Sequence, residues 1–379
     1  QGFGYNIPSK MLESQYFTGG DGSVQAIAPD FKAAANWKFN LGTQKSLTDD
    51  LVVGADAIFS KEQDPYIMKD LRMVSNGTAP DGRPIYKNCV TSLTNPAVCA
   101  PRGGTSNWDL LLTNSDESAK SIILSTFADW QIIEGLKLKA GYAYQDVEET
   151  HPMTSTTPNS NYDRYVTSDP ANPTPSTSNY ETPQRFTLNL SYKVNLVGDY
   201  ATRFNLLGQR VEGRGYSYTF TGDPGFGDAL GASRNRNLLY IPKVNDDKVV
   251  YATPAIKDAF DAFIAANGLE GYRGQIAPRN GFNSSWWTRV DLKVTQELPA
   301  FNAEHDAEIY LSIMNIGNML NSDWGVKEQV GFPYVQSVAR ATINAQGQYV
   351  FNQFTAPRAQ TIEDRTSVWN AAVGIEYRF

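Results

Sequence analysis

The last thirteen residues, Ser367 to Phe379 (SVWNAAVGIEYRF), alternate between two kinds of side chain. Successive side chains of a β-strand point to opposite faces, so this pattern predicts a strand with one apolar face and one polar or small face. The apolar face would carry Trp369, Ala371, Val373, Ile375, Tyr377 and Phe379, and the opposite face Asn370, Ala372, Gly374, Glu376 and Arg378. A chain that ends on such a strand needs a partner or a medium to cover the apolar face.

Two environments can cover it. A soluble β protein would bury the strand in its core, whereas a transmembrane strand would turn the apolar face to lipid. The segment resembles the final strand of bacterial outer-membrane barrels, which has a terminal Phe and apolar residues at alternate positions before it. That resemblance implies a signal for the barrel-assembly machinery, formed by Val373, Ile375, Tyr377 and Phe379.

Composition is compatible with a membrane barrel. The chain has 379 residues, of which 41% are hydrophobic and 12% aromatic. It contains no run of about 18 apolar residues of the kind that a membrane helix requires. Strands of a barrel turn only every second residue to lipid and therefore show no such run. The formal net charge of -7 disfavours a nucleic-acid partner, because a phosphate-binding surface needs a positive field.

The same alternation recurs along the chain. The predicted strands before the terminal one are Ala33–Leu41, Leu51–Ser60, Ser121–Gln131, Leu136–Gln145, Arg185–Asn195, Tyr200–Arg210, Trp286–Leu298 and His305–Ile316. Connections alternate between short turns, the first of them Gly42 to Asp50, and long segments. Membrane barrels have this arrangement, with tight turns on the periplasmic side and long external loops. We therefore expect an all-β antiparallel transmembrane barrel with about 9–11 strands in this sequence.

An odd strand count has a consequence for domain organisation. If the terminal strand ends in the periplasm, the predicted strands starting near 33, 121, 184, 286 and 367 run inward, and residue 1 lies outside the cell. Bacterial barrels have an even number of strands and start from the periplasm. We therefore expect residues 1–379 to be the C-terminal portion of a longer barrel, with the signal peptide outside this sequence.

Two of the long connections have distinctive patterns. In the segment from Val211 to Ser285, Thr253 and Pro254 predict the start of one short loop helix, and Asn267-Gly268 predicts its end. Its apolar stripe of Ile256, Phe260, Phe263 and Ile264 favours packing against its own loop or the barrel rim. The segment Val147 to Pro183 is rich in Thr, Ser, Asn and Pro and is expected to be a mobile surface loop.

The two cysteines, Cys89 and Cys99, lie ten positions apart in NCVTSLTNPAVCAPR. The two histidines, His151 and His305, are far away in sequence, so a metal site is disfavoured. A disulfide that closes a small loop is the favoured interpretation, with two free thiols as the alternative. It would place this loop in an oxidising compartment such as the periplasm or the cell surface.

Several blocks together resemble the C-terminal region of the Oar-like branch of TonB-dependent outer-membrane transporters. These blocks are LLLTNSDESAKS, TPQRFTLNLSYK, GRGYSYTFTGDPG, NRNLLYIPK, GLEGYRGQIAPRNGFNSSWWTRVDLKVTQELP and AEIYLSIMNIGNMLNSDWG. The resemblance implies a 22-stranded barrel in the bacterial outer membrane, with an N-terminal plug that is not in this sequence. It also implies uptake of a scarce or large substrate, energised by the TonB complex through that absent N-terminal part.

Candidate site residues lie in the long segments. Loop aromatics are candidates to stack on a substrate, although packing among loops is the favoured role for any one of them: Tyr162, Tyr165, Tyr216, Tyr218, Phe226, Tyr240 and Tyr272. Asp223 and Asp228 in GDPGFGD are a weak candidate for calcium, because the full ligand spacing of a calcium loop is missing. No other cofactor is expected.

The sequence predicts no enzyme, since it lacks a GxSxG elbow and any paired nucleophile and base. Two other functions stay open beside transport. One is an outer-membrane scaffold or adhesin whose long loops contact a surface accessory protein or another partner. The other is a secreted soluble β protein that binds carbohydrate.

Overall fold

The computed structural model describes residues 24–92, 95–100, 108–228, 234–302 and 304–379. Its strands are β1 (Val24–Ile27), β2 (Ala35–Thr48), β3 (Leu51–Gln63), β4 (Tyr66–Asp70), β5 (Met73–Thr78), β6 (Pro84–Ser92), β7 (Asn95–Ala100), β8 (Asp109–Asn114), β9 (Lys120–Ile133), β10 (Leu136–Glu149), β11 (Ser176–Thr177), β12 (Gln184–Val197), β13 (Tyr200–Val211), β14 (Gly215–Phe220), β15 (Tyr240–Ile241), β16 (Val249–Tyr251), β17 (Gln275–Ile276), β18 (Phe282–Asn283), β19 (Trp287–Leu298), β20 (Asp306–Met314), β21 (Glu328–Gln329), β22 (Val335–Ile343), β23 (Tyr349–Phe354), β24 (Thr361–Ile362) and β25 (Asn370–Arg378). Its α-helices are α1 (Pro158–Asp163), α2 (Pro254–Ala266), α3 (Ile316–Leu320) and α4 (Asp364–Ser367), and one 3₁₀ turn spans Glu270–Tyr272.

Nine long strands form one continuous antiparallel sheet, which we call the wall. Their order is β2, β3, β9, β10, β12, β13, β19, β20 and β25, and the short β11 pairs with the end of β10. The wall strands are 9 to 14 residues long, the length that a tilted strand needs to cross a bilayer. All nine strands predicted from the alternation are present, which confirms the all-β antiparallel prediction.

Several predicted boundaries differ from the structure: the terminal strand begins at Asn370 and not at Ser367, and the first turn is much shorter than expected. Gly42 to Asp50 was expected to be a turn, but β2 continues to Thr48 and only Asp49 and Asp50 separate it from β3. The register pairs Lys45 with Val53 and Ser46 with Val52. The apolar alternation fades after Leu41, so the extra strand length comes from pairing with β3.

The wall has two chemically different faces. The face predicted to be apolar carries large exposed side chains: Trp37 is 74% exposed, Phe39 67%, Val373 71% and Ile375 74%. The other face carries polar and charged residues that pair across strands. The wall is therefore an amphipathic sheet whose apolar side nothing covers within the part of the chain that the structure describes.

The four short connections lie at one edge of the wall, and the four long ones lie at the other. The long connections are residues 64–119, 150–183, 212–286 and 315–369. They hold all the described helices and every remaining strand except β1, which precedes β2 and pairs with β8. We call the described residues of the long connections the cap. Its largest sheet has the order β16, β23, β22, β14 and β18 and combines strands from the third and fourth connections. The cap is thus a folded unit and not a set of separate loops.

The cap has its own hydrophobic core. Eighteen buried residues from the first, third and fourth connections form it, among them Phe220, Tyr349 and Phe351, which are 0% exposed. Helix α2 packs into this core through Phe260, Phe263 and Ile264, as predicted. Three further short helices lie in the described cap, so the expectation of a single loop helix is wrong.

Local chemistry fixes the ends of α2. The Thr253 hydroxyl accepts a hydrogen bond from the backbone N–H of Ile256, and Pro254 occupies the first helical position. Asn267 ends the helix, and Gly268 follows with φ of +69°. The predicted start and stop are confirmed.

The second long connection also differs from expectation. Its centre is not a free surface loop, because Tyr162 is 0% and Tyr165 2% exposed. Two buried tyrosines in a segment that is otherwise rich in Thr, Ser and Pro change its composition too little to be recognised from the sequence.

No helix in the described ranges is both long and apolar enough to cross a membrane.

Candidate functional site

The polar face of the wall carries ion pairs between neighbouring strands. Lys137 and Lys139 both contact Asp129, with Nζ–O distances of 2.9 and 3.3 Å. On the same face, farther along the sheet, Arg203 pairs with Glu297 and lies 4.0 Å from Glu308. Placing this many charged side chains against lipid costs free energy, whereas a water-filled interior solvates them. This face is therefore the side on which water and solutes belong.

The apolar face carries a groove of about 820 Å³ that crosses six strands. Two rows of side chains line it, one of which includes Val53, Ala128 and Leu188. Small residues, among them Ala140 and Gly208, deepen the groove, and its surface is almost entirely apolar. Such a surface accommodates hydrocarbon chains.

The predicted assembly signal lies at the wall's open edge. Val373, Ile375 and Phe379 are 71%, 74% and 97% exposed on the apolar face, so all three are accessible. The Tyr377 hydroxyl lies 2.7 Å from Nδ1 of His305 in the neighbouring connection. Recognition of these side chains by assembly machinery stays a prediction.

The cap's loops are tied together by buried arginines that the sequence did not single out. Arg236, in the third connection, forms a two-pronged ion pair with Asp228, with N–O distances of 2.6 and 2.8 Å. It also donates to the carbonyl of Tyr162 in the second connection. Arg279 donates to the backbone carbonyls of Glu149 and Ser176. An arginine in a polar run carries no periodic signal, so only the structure could show these ties.

His151 lies beside these arginines. Its ring stacks on Tyr165 at 4.3 Å between ring centres. Burial lowers the pKa of His151 to about 3, and the nearby positive charges of Arg279 and Arg236 add to this effect. Neither ring nitrogen has a hydrogen-bond partner among the described residues. His151 is thus a neutral, packed histidine at neutral pH.

The seven candidate substrate aromatics divide into two groups. Tyr162, Tyr165, Tyr218, Phe226 and Tyr240 are each at most 3% exposed, while Tyr216 and Tyr272 pack at the edge of the cap core and are partly exposed. Packing among loops is therefore the observed role of the buried five. A substrate contact stays a prediction for the two partly exposed tyrosines.

The two carboxylates of the calcium candidate have other partners. Asp223 accepts hydrogen bonds from the backbone N–H groups of Gly225, Phe226 and Gly227. Burial raises the pKa of Asp223 to about 6, and nearby Asp228 adds to the rise. Asp228 is buried in its ion pair with Arg236. Among the described residues no cluster of three or more His, Cys, Asp or Glu could hold a metal ion, so the calcium hypothesis gains no geometric support.

The cysteine side chains lie outside the described part, but the backbone around them is described. β6 and β7 pair in antiparallel register, and this register places Cys89 opposite Cys99. Directly opposed residues in such a pair have Cα atoms about 4.5–5.5 Å apart, within the range of about 4.4–6.8 Å that disulfides span. The backbone is therefore compatible with the predicted disulfide, which stays a prediction.

Comparisons with known proteins give little beyond this geometry. No protein-family model matches the chain, and no curated protein matches it. Two solved structures are similar in shape: the FrpB iron transporter from Neisseria meningitidis, at 10% identity and a TM-score of 0.40, and the outer membrane transporter YddB from Escherichia coli, at 11% and 0.42. The matches cover 94% and 95% of this chain and 32% and 34% of those proteins, so the chain spans about a third of their length.

Proposed function

We propose that this chain forms part of the wall and the external cap of an outer-membrane barrel that takes up a scarce or large substrate. The observation that carries the proposal is the two-faced wall. Its apolar face exposes aromatic and aliphatic side chains, and its opposite face carries charges paired across strands. This distribution suits a sheet with lipid on one side and water on the other.

The unpaired edge strands of the wall are an argument for a larger barrel. In the described structure, β2 and β25 each pair with a wall strand on one side only. An unpaired strand edge cannot face lipid, because its backbone N–H and C=O groups would have no partners there. We infer that further strands pair with both edges and close the wall, consistent with the 22-stranded barrel that the Oar-like resemblance implies.

The same resemblance supplies the rest of the proposal. Outer-membrane lipid surrounds the wall, the barrel-assembly machinery recognises β25, and the TonB complex acts through an N-terminal plug region. In this orientation the short connections face the periplasm and the cap faces the outside. The cap would therefore meet the substrate first.

Fractionation combined with genetics tests the proposal. The intact protein should remain in the outer-membrane fraction after carbonate extraction. Deleting its gene should leave specific compounds unconsumed in the growth medium, and a strain without TonB should leave the same compounds unconsumed. Recovery of the protein in a soluble fraction would instead favour the secreted carbohydrate-binding alternative.

The scaffold or adhesin alternative has one observation in its favour. The cap has its own aromatic core and so presents a stable outer surface, which suits a docking partner as well as a transport substrate. Under that alternative the deletion strain would consume every compound that the parent strain consumes. It would lose only a surface-associated protein or attachment to a matrix.

A further inference from the structure

A cleft of about 560 Å³ opens on the cap between β22 and the segments that flank it. This volume falls within the range of about 300–1,000 Å³ that is usual for small-ligand sites. Three arginines line the cleft: Arg164 from the second connection, Arg234 from the third and Arg358 from the fourth. Three long connections thus bring one positive charge each to the same place.

The cleft has more positively charged side chains than negatively charged ones around it. Arg164 and Arg234 share the carboxylate of Asp163, with Nε–O distances of 3.7 and 3.0 Å. The guanidinium of Arg358 has no ion pair or hydrogen bond within the described ranges, and no acidic residue is among the described residues that line the cleft. Three guanidinium groups with one nearby carboxylate produce a field that attracts an anion.

The cleft holds the backbone of Arg358 firmly. Gln336 on β22 is 5% exposed, and its side-chain amide donates to the carbonyl of Arg358 at 2.8 Å. The backbone N–H of Arg358 donates to the amide oxygen of Gln336 at 2.9 Å. These bonds involve only the backbone of Arg358, so they leave its guanidinium available to a ligand.

The rest of the lining is suited to a ring that carries hydroxyl groups. Phe332 is 47% exposed, and the Arg164 guanidinium lies 5.5 Å from the centre of its ring. The remaining polar lining is made of hydroxyl and amide side chains: Thr221, Asn235, Gln336, Ser337, Thr355 and Thr361. Such groups bind hydroxyls, an exposed aromatic ring packs against a sugar face, and arginine pairs with carboxylates through two hydrogen bonds.

We propose that this cleft binds an acidic saccharide, with Arg358 and the Arg164–Arg234 pair on its carboxylates and Phe332 under a sugar ring. The inference rests on the proposed uptake function, for which it names the substrate class. It singles out four residues that the sequence patterns did not mark.

Titration calorimetry on the intact protein in detergent tests the inference, with tetragalacturonate as the acidic probe and maltotetraose as the neutral one. Tetragalacturonate should bind and maltotetraose should not, and binding should weaken as salt rises. Arg358→Gln should weaken binding about 10-fold or more, the size expected for a hydrogen bond between charged groups. Phe332→Ala should weaken it as well.

Arg340→Gln is the matched control. Arg340 is exposed on the same strand as Gln336, carries the same charge and does not line the cleft. Equal weakening by the Arg340 and Arg358 variants, or equal binding of both saccharides, would overturn the inference. If neither saccharide binds, the inference also fails, but TonB-dependent depletion of other compounds would leave the uptake function standing.

Discussion

At the scale of single residues, the cap is held by buried cations that contact backbone carbonyls. Arg236 and Arg279 reach from the third connection to the carbonyls of Tyr162 and Ser176 in the second, and both charges act on His151. A charge buried in this way is stable only while its partners are in place. The stability of loops that are joined in this way therefore depends on the charge of nearby titratable side chains.

His151 makes that dependence measurable. Its folded pKa of about 3 lies below the unfolded value of about 6.5, so the fold favours the neutral ring. This contribution to stability is fully present above pH about 6.5 and is lost as the pH falls toward 3. We expect amide protection in residues 150–183, corrected for intrinsic exchange rates, to decrease over this range.

A His151→Phe variant should keep the stacking on Tyr165 and remove most of that acid sensitivity. It should also be at least as stable as the parent at pH 7, because it removes two buried nitrogens without partners. His305→Phe, a change at the opposite edge of the wall, serves as the control and should leave the acid response of the cap intact. Equal acid sensitivity in the His151 variant and the parent would refute this assignment.

At the scale of elements, the wall strands could be predicted and most of the cap strands could not. A strand such as β12 has lipid or solvent on one face and polar groups on the other, so its sequence alternates. By contrast, most residues of β14 are buried irrespective of face, and it pairs in parallel with β22, more than a hundred residues away. Two-sided burial erases the alternation, and no local pattern encodes a distant partner.

The difference between local and distant interactions also explains which site residues could be predicted from the sequence. The ends of α2 were predictable because capping is a local interaction between Thr253 and Ile256. The cleft of Arg164, Arg234 and Arg358 was not predicted, because three connections meet only after the cap folds. For loop aromatics such as Tyr218, the sequence favoured packing over substrate contact, but it could not show which of them the cap core buries.

The hairpin of β6 and β7 gives a prediction at this scale. We expect Cys89 and Cys99 to resist alkylation in the unfolded, non-reduced protein and both to react after reduction, as measured by mass spectrometry. The opposed backbone positions provide the physical reason. Alkylation of both residues before reduction would show that the two thiols are free.

At the scale of the whole molecule, the wall has two chemically different faces and the cap lies at one of its edges. The side-chain period of two makes adjacent residues of one strand face opposite media. Leu188, near the middle of β12, is 41% exposed on the apolar face, and its neighbour Thr187 lies on the polar face. A pair of matched substitutions therefore tests the orientation of the entire sheet.

Leu188→Lys should destabilise the protein in lipid vesicles by about 2–4 kcal/mol, because it places a charge against hydrocarbon. Thr187→Lys adds the same charge on the polar face, where its partners across the strands are the uncharged Gly141 and Gln209. It should cost far less. Urea unfolding in vesicles measures both variants, and equal losses would contradict the proposed orientation.

The parallel pairing of β14 with β22 and of β16 with β23 also has a consequence for the order in which the parts of the chain fold. These partners belong to connections 212–286 and 315–369, which are separated by the β19–β20 hairpin. The cap core takes residues from both connections, so it is complete only when both lie at the same edge of the wall. Until these pairs form, core side chains such as Phe220 and Phe351 lack part of their packing and stay accessible to proteases.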